Sequence, residues 1–295
     1  FAIRNDKTAD RNLLVGRNFD FYVNDEFAKN KIIAFVKPTE GYPFMSITWA
    51  GMVGVTSGMN LEGLTITLNA AKSSIPYQSK TPISLIAREI LQYAKNIEEA
   101  IAIAKKRQVF VSESLLIASG SENKAVIIEM APELFSVYEQ PNADEIICSN
   151  HFQSNVYAND PRNNDQIKNS HSQYRWDKMN QVLKENSKLQ VEDVVAVLRD
   201  VKGLNNKSIG LGNEKSLNQL YAHHSVVFKP KEKLVWVSSN PNQLAEFTAY
   251  DLDEIFNEER LFANKSLMID SLAVSKDEFI DSKEYLNFQK FKTID

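Results

Sequence analysis

The chain has 295 residues, 43% of them hydrophobic, and a formal net charge of −4 from 34 basic and 38 acidic side chains. These figures are typical of a globular protein with a sizeable core, and they show no excess of basic residues that would indicate nucleic-acid binding. The single cysteine, Cys148, excludes an internal disulfide and a multi-cysteine zinc site. No stretch approaches the roughly 18 apolar residues of a membrane span. This composition suits a cytoplasmic or an exported protein equally.

The first part of the chain is rich in β-branched and aromatic runs separated by turn residues, which predicts consecutive antiparallel strands. These strands are predicted over 13–23, 31–38, 43–50, 52–60 and 64–70. Apolar residues then recur at helical spacing from Thr81 to Arg107. We expect Thr81 to cap a first helix, with Pro82 at its first position, and Asn96 to cap a second helix.

Strands, helices and strands follow in the second half of the chain. Strands are predicted over 113–120, 124–132, 134–140 and 145–152, a long polar loop over 153–170, helices over 172–186 and 190–201, and a hairpin over 221–239. This order favours a layered α+β fold and argues against alternating βαβ units. We expect one domain over 1–250 and a charged helical arm over 251–295 that packs on the domain or on a partner. If the partner is a second copy of the chain, the protein is a homo-oligomer.

Charged side chains interrupt the first apolar strand, where they cost free energy unless they are paired. Arg17 and Asp20 lie three residues apart in "LLVGRNFDFYV". They could form a structural ion pair at a sheet edge, or they could belong to an active site. Because successive side chains of a strand alternate, both can reach one point only if the backbone bends or the strand ends before Asp20.

Polar residues interrupt other predicted elements in the same way. Asn60 and Asn69 flank the strand "LEGLTITL", Asn150 ends "EIICS", and Arg175 lies near the start of a helix. Asn60 stands in a turn-like sequence, whereas Asn69 and Asn150 are less easily explained as turn residues.

Four motifs, "VGRNFDF", "GMNLEGLTITLNA", "SNHF" and "SQYRWDKM", occur in this order between residues 16 and 179. Together they resemble the acyltransferase and amidase branch of the N-terminal nucleophile (Ntn) hydrolases. This branch includes the acyl-CoA:6-aminopenicillanic acid acyltransferase (peptidase C45) family and is similar to choloylglycine hydrolases, penicillin V acylases and acid ceramidase. The resemblance implies a four-layer αββα sandwich with antiparallel sheets and an enzyme that hydrolyses or transfers an acyl group from an N-acyl amide.

In that family the nucleophile is an N-terminal cysteine released by autocatalytic cleavage, and its own α-amine serves as the base. Carried onto this sequence, the resemblance implies that Arg17 favours the thiolate and Asp20 orients the α-ammonium. Asn69 and Asn150 form an oxyanion hole, and Arg175 holds Asp20 through a charge-assisted pair. No cofactor or metal is implied.

Position 1 is phenylalanine, which departs from the family pattern. Since "FAIR" fits the family's fourth residue onward, we expect about three residues, beginning with the nucleophile, to precede Phe1. The alternatives are a binding homologue that has lost the nucleophile, or an unrelated α+β scaffold with chance motif matches.

Two other groups could carry chemistry. Cys148 lies three residues before His151, but its apolar strand context favours a buried, inert thiol. His223 and His224 would point to opposite faces of a strand, which argues against a shared metal ion.

The substrate is expected to be a small-molecule N-acyl amide, whose acyl group would bind in an apolar pocket of the protein. Candidate substrate-binding residues are Phe21, Tyr22, Phe44, Trp49 and Asn60. Bile salts, penicillins, N-acyl amino acids, ceramide-like lipids and peptide amides all remain open as substrates, because specificity depends on the loops of the pocket.

Overall fold

The structure, a computed structural model, describes residues 1–21, 23, 25–75, 78–257 and 266–292. Thirteen strands lie within these ranges: β1 (Ala2–Ile3), β2 (Leu14–Phe19), β3 (Ile32–Val36), β4 (Phe44–Thr48), β5 (Ser57–Asn60), β6 (Leu64–Ala70), β7 (Glu113–Ser119), β8 (Lys124–Met130), β9 (Phe135–Tyr138), β10 (Glu145–Ile146), β11 (His224–Lys229), β12 (Leu234–Ser238) and β13 (Phe247–Asp251). They form two antiparallel sheets. Sheet A has the order β10-β1-β2-β11-β12-β13, and sheet B runs from β3 to β9 in sequence order.

Helices lie between the strands in sequence, and four of those that the structure describes cover the outer faces of the two sheets. Within the described ranges they are α1 (Asp25–Lys29), α2 (Ile83–Tyr93), α3 (Ile97–Lys105), α4 (Pro161–Asn169), α5 (Ser172–Glu185), α6 (Val191–Leu198), α7 (Leu252–Ile255) and α8 (Lys283–Lys292). One apolar cluster joins α2 and α3 to sheet B, a second fills the space between the sheets, and a third joins α5 and α6 to sheet A. The expected αββα sandwich with antiparallel sheets is therefore confirmed.

The helix pair on sheet B forms as the apolar spacing predicts. Ile83, Ile86 and Ile90 of α2 are buried against the sheet. Asn96 caps α3, since its side chain accepts a hydrogen bond of 2.9 Å from the Glu99 backbone N–H. The prediction for Thr81 was wrong, because Pro82 takes the cap position of α2 and Thr81 instead bridges Val109.

Two expectations about chain organisation were also wrong. The first long strand does not continue into a single meander, because α1 separates β2 from β3 and β2 lies inside sheet A. The polar stretch 153–170 contains α4. Its N-terminus carries a sufficient signal, since the Asp160 carboxylate caps the backbone N–H groups of Arg162 and Asn163 and proline occupies the first turn. Polar composition concealed that signal.

The end of β2 shows how the side chains of Arg17 and Asp20 can reach the same point. Regular pairing stops at Phe19, which faces His224 of β11, and Asp20 lies beyond the strand. Alternation therefore does not restrict the direction of Asp20 relative to Arg17.

The C-terminal segment packs on the rest of the molecule wherever it is described. Met268 and Val274 bridge residues of β13, and Tyr285 of α8 is buried beside Leu220 and Leu244. The predicted boundary at residue 250 falls inside β13. Residues 258–265 and 293–295 of the predicted arm lie outside the described residues. Across the part of the chain that the structure describes, no helix has the length and apolar character needed to cross a bilayer.

Candidate active site

A cavity of about 590 Å³ lies between the two sheets, at the ends of β1, β2 and β6. All five residues expected to be catalytic line it: Arg17, Asp20, Asn69, Asn150 and Arg175. Two of the expected substrate-binding residues, Phe21 and Trp49, line it as well. Residues that are scattered along the sequence are thus brought to one place by the pairing of distant strands.

The α-amine of Phe1 also lies at this cavity. It donates a hydrogen bond of 2.9 Å to the Gly16 carbonyl, and the Gly16 N–H donates one of 2.9 Å to the Phe1 carbonyl. Burial lowers the pKa of this amine to about 6; the Cys148 thiolate would raise the pKa, and the Arg17 charge lowers it further. The start of β1 is thus fixed against β2 by a pair of hydrogen bonds at the cavity.

Arg17 extends from β2 across to sheet B. Its guanidinium donates to the carbonyl oxygens of Thr56 and Leu68 and to the Ser57 hydroxyl. It also lies 4.6 Å above the centre of the Phe19 ring. Burial lowers its pKa to about 10, although nearby acidic groups, Asp20 foremost, favour the charged form. The side chain is thus a buried positive charge at neutral pH, fixed at the wall of the cavity.

Asp20 is a buried carboxyl group without a complete set of partners. Its Oδ1 atom has no hydrogen-bond partner among the described residues. Burial raises its pKa to about 6, while the positive charges of Arg175 and Arg17 act in the opposite direction. The expected direct pair between Arg175 and Asp20 was wrong. The Arg175 guanidinium instead donates to Asn150 Oδ1 at 2.8 Å and to the Glu214 carbonyl oxygen.

Two asparagine residues line the cavity, one in β6 and one in the segment that follows β10. Asn69 of β6 donates to the Cys148 carbonyl at 3.4 Å, and Asn150 donates to the Ala70 carbonyl at 3.0 Å. The backbone N–H of Asn150 is fixed by the Ser172 hydroxyl at 2.8 Å. Each amide thus has a defined orientation and keeps a second N–H for a ligand.

Three of the expected substrate-binding residues are not in the cavity. Phe44 is buried in the apolar cluster between sheet B and its helices. Asn60 is fully buried and holds the backbone. It donates to the Leu91 and Ala94 carbonyls at the end of α2, and it accepts from the backbone N–H groups of one turn residue and of the first residue of β6. Both predictions were therefore wrong. Tyr22 lies outside the described residues.

Asn60→Ala should destabilise the protein without a specific effect on catalysis. The change leaves two carbonyls and two N–H groups without their buried partner, which should lower the free energy of unfolding by about 2–4 kcal/mol. Urea denaturation measures this, with Asn164→Ala as the control because Asn164 is only partly buried and its side chain makes one hydrogen bond of 3.1 Å to a carbonyl. A fully stable Asn60→Ala protein with a raised KM would restore a substrate-binding role.

Cys148 lies in the cavity but is poorly suited to be a nucleophile. Burial raises the pKa of its thiol to about 12, and the Glu129 carboxylate adds to this against the lowering effects of the α-amine, Arg17 and Ser114. The thiolate is the reactive form, so this sulfur is almost entirely unreactive at neutral pH.

Cys148→Ser should retain kcat/KM for an amide substrate within about threefold of the wild-type value, a change in barrier of less than ~1 kcal/mol. Steady-state kinetics with the folded variant checks this. A fall to the background rate would identify Cys148 as the nucleophile.

Two further groups at the site were not found from the sequence. Glu113, at the start of β7, lines the cavity, and burial raises the pKa of its carboxyl to about 7 despite the opposing charge of Arg17. A charged residue inside "VSESLLIASG" was a usable signal, equivalent to the one that identified Arg17. The second group lies behind Arg17: Ser57 Oγ is 2.7 Å from His224 Nε2, and His224 Nδ1 is 2.8 Å from His223 Nδ1.

The two histidine rings are in contact, so the expectation that they face opposite sides of a strand was wrong. β11 begins only at His224, and the alternation rule does not apply to His223. Burial lowers the pKa of His223 to about 4 and the pKa of His224 well below its usual value. Both rings are therefore neutral, and they form a buried support for Ser57 and, through it, Arg17. Over the described ranges, no group of three or more His, Cys, Asp or Glu side chains is arranged to hold a metal ion.

Solved structures with the same architecture include a Caenorhabditis elegans N-acylethanolamine-hydrolyzing acid amidase ortholog, with a TM-score of 0.56 at 18% identity over 78% of this chain and 92% of that one. Penicillin V acylase from Agrobacterium tumefaciens gives a TM-score of 0.52 at 16% identity, over 86% and 87% of the two chains. A variant of conjugated bile acid hydrolase from Clostridium perfringens gives 0.51 at 12% identity, over 86% and 93%. At these identities the likeness concerns the fold, which is that of the Ntn hydrolases.

Sequence comparison gives the family. An Archaeoglobus fulgidus protein described as uncharacterized is 29% identical over 142 residues, which cover 46% of this chain and 24% of that protein. The match thus spans about a quarter of that relative. The family model of acyl-coenzyme A:6-aminopenicillanic acid acyl-transferase matches residues 6–243, well over half of the chain. The chain therefore belongs to the acyl-coenzyme A:6-aminopenicillanic acid acyl-transferase family and has the Ntn-hydrolase fold.

Proposed function

We propose that this protein hydrolyses or transfers the acyl group of a small N-acyl amide through a thioester on a cysteine that directly precedes Phe1 in the processed chain. One observation carries the proposal: Arg17, Asp20, Asn69, Asn150 and Arg175 surround the cavity into which the buried start of β1 points. The family and the fold neighbours, which include amide-acting enzymes by name, support the same class of reaction.

The strand register supports the position of the nucleophile. Ala2 pairs with Val15 of β2 and with Ile146 of β10. Continued by two residues, this register brings the residue before Phe1 opposite Arg17 on one side and Cys148 on the other. Directly opposed residues share a face of the sheet and lie about 5 Å apart. One preceding residue, and not three, is therefore enough to bring a thiol beside the Arg17 charge.

The surrounding groups fit the steps of thioester chemistry. The α-amine of that cysteine would lie beside its own thiol at the cavity, so it could take the proton of the thiol. Arg17 would stabilise the resulting thiolate. The thiolate would attack the amide carbonyl, and the free N–H groups of Asn69 and Asn150 would donate to the oxyanion. Water or a second amine would then release the acyl group.

The aromatic lining suits an apolar acyl group. Phe19 stacks on Trp49 with ring centres 6.2 Å apart and planes 9° from parallel, and on Phe21 at 5.9 Å. Phe21 is 57% exposed, which sets it at the mouth of the cavity. Burial of an acyl chain or ring against these faces would contribute the usual ~25 cal/mol per Å² of apolar surface.

The deciding experiment determines the intact mass and N-terminal sequence of the active protein, and then incubates it with a panel of acyl amides. We expect an N-terminal cysteine directly before Phe1 and an acyl-enzyme whose mass increases by that of the acyl group. A first residue other than Cys, Ser or Thr would contradict the proposal and favour the alternative of a binding homologue without a nucleophile.

A further inference from the structure

Glu113 stands where the catalytic cavity meets a second, more open groove. It is the first residue of β7 and pairs with Ala70 of β6 and Met130 of β8. Its side chain lines the cavity of about 590 Å³ and also the neighbouring groove of about 800 Å³. Glu113 therefore borders both spaces.

The carboxyl group has a free, buried atom. Glu113 Oε2 is shielded from solvent and has no hydrogen-bond partner within the described ranges. A buried oxygen of this kind costs free energy unless something binds it. The neighbouring strand position across the ladder is Ala70, whose carbonyl fixes the Asn150 amide, and Asn69 pairs with Ser114. Glu113 is thus one ladder position from Asn69 and leaves the opposite face of the sheet, and it borders the cavity because β6 and β7 meet there at their ends.

Both spaces have polar and apolar side chains in their lining. The cavity is lined by apolar side chains that include Phe21, Trp49, Leu68 and Met179. The groove carries the polar side chains of Lys72, Ser73, Arg162 and Asp165. With the acyl group against the aromatic side chains of the cavity, the amine half would extend past Glu113 into the groove, which offers it both polar and apolar contacts.

We propose that Glu113 transfers the proton of the amine half: its carboxylic acid protonates the leaving nitrogen, and its carboxylate later takes a proton from the incoming water or amine. This proposal rests on the proposed function. In acylation the S–C bond forms, the C–N bond breaks, and the nitrogen gains the proton that Glu113 loses. In deacylation the oxygen of water bonds to the carbonyl carbon, its proton returns to Glu113, and the C–S bond breaks to release the thiolate.

The electrostatic surroundings permit this exchange near neutral pH. Burial raises the pKa of Glu113 to about 7, and the positive charge of Arg17 opposes that rise. A proton donor and acceptor works best when its pKa lies near the working pH. The other charged or titratable side chains that line the two spaces are Asp20, Cys148, Arg175, Glu214 and Tyr221 in the cavity, and Lys72, Arg162 and Asp165 in the groove.

The test compares two leaving groups in Glu113→Gln, which keeps the shape of the side chain but has no proton to transfer. The probes share one acyl group and differ as an alkyl amide and a p-nitrophenyl ester, whose leaving group departs without protonation. We expect kcat/KM for the amide to fall about 100-fold or more and that for the ester to stay within about threefold. Glu113→Asp should restore part of the amide rate. Glu89→Gln, on the exposed side of α2 beside Arg107, is the matched control.

A second measurement is the pH profile. Wild-type kcat/KM for the amide should fall as pH rises through the pKa of Glu113, and Glu113→Gln should lack this limb. Equal losses on both probes, or no loss on either, would overturn the role of Glu113 while leaving the proposed function intact. A wild-type protein inert towards both probes would overturn the proposed function and this inference with it.

Discussion

Arg17→Met should lower kcat/KM for an amide substrate by at least about 100-fold. An opposite charge beside an acid lowers its pKa by about 1–3 units, so removal of the guanidinium should reduce the thiolate fraction of the nucleophile by about 10–1000-fold. The loss of orientation adds to this effect, because Arg17 is fixed by the Thr56 and Leu68 carbonyls and the Ser57 hydroxyl. Steady-state kinetics on the amide measures the overall loss.

Alkylation of the nucleophile by iodoacetamide as a function of pH separates the charge effect from orientation. The apparent pKa of the reactive thiol should rise by about 1–3 units in Arg17→Met. Arg17→Lys keeps the charge without the planar fork, so it should retain most of the thiol pKa shift but lose part of the rate. If the thermal unfolding temperature of Arg17→Met is far below that of the wild type, the thiol pKa and the rate of Arg17→Lys are compared with the wild-type values instead. An unchanged thiol pKa in a folded Arg17→Met protein would contradict this role.

The catalytic candidates could be found from sequence because buried polar groups are costly. Arg17 and Asn69 stand out inside apolar strands, and a strand that ends at Phe19 explains how Asp20 joins them. Such residues persist in a core only where something binds them, so the pattern itself indicates a site. The layer order was predictable for a similar reason, since the change from a period of two to 3.6 marks where sheet gives way to helix.

The same reasoning cannot decide what a buried polar residue binds. Asn60 and Asn69 look alike in sequence, but Asn60 is used to hold the end of α2 and a turn, and only Asn69 faces the cavity. That difference depends on where α2 packs. The carbonyls that Asn60 binds, those of Leu91 and Ala94, lie 31 and 34 positions further along the chain.

Non-local pairing also explains the groups that were missed or given wrong partners. Glu113 reaches the site only through its register with Ala70, and Ser57 meets His224 across 167 residues of sequence. Arg175 binds Asn150 because Ser172, the first residue of α5, accepts a hydrogen bond from the Asn150 backbone and so places the start of the helix beside it. Periodicity reports which face of an element is buried, and it carries no information about which distant element covers that face.

Asn69→Ala and Asn150→Ala should each lower kcat by about 100- to 1000-fold with a small change in KM. Each amide uses one N–H to bind a carbonyl, and the second can donate to an oxyanion, which exists only after attack on the substrate carbonyl. The loss of one such donor costs about 3–4 kcal/mol in the barrier. Pre-steady-state measurement of acylation gives the effect on the chemical step, with Asn164→Ala as the control because Asn164 is only partly buried and does not line the cavity.

A double-mutant cycle with Arg175 distinguishes oxyanion stabilisation from a general loss of structure. Arg175 donates to Asn150 Oδ1 at 2.8 Å and therefore fixes the direction of that amide, whereas Asn69 is held by the Cys148 carbonyl. Arg175→Met should be strongly non-additive with Asn150→Ala, because both remove the same oriented donor, and closer to additive with Asn69→Ala. Equal coupling to both asparagines would mean that Arg175 acts on the site through charge alone, most directly through Asp20, whose pKa it lowers. Non-additivity confined to Asn150 would instead assign the two amides separate supports around one developing charge.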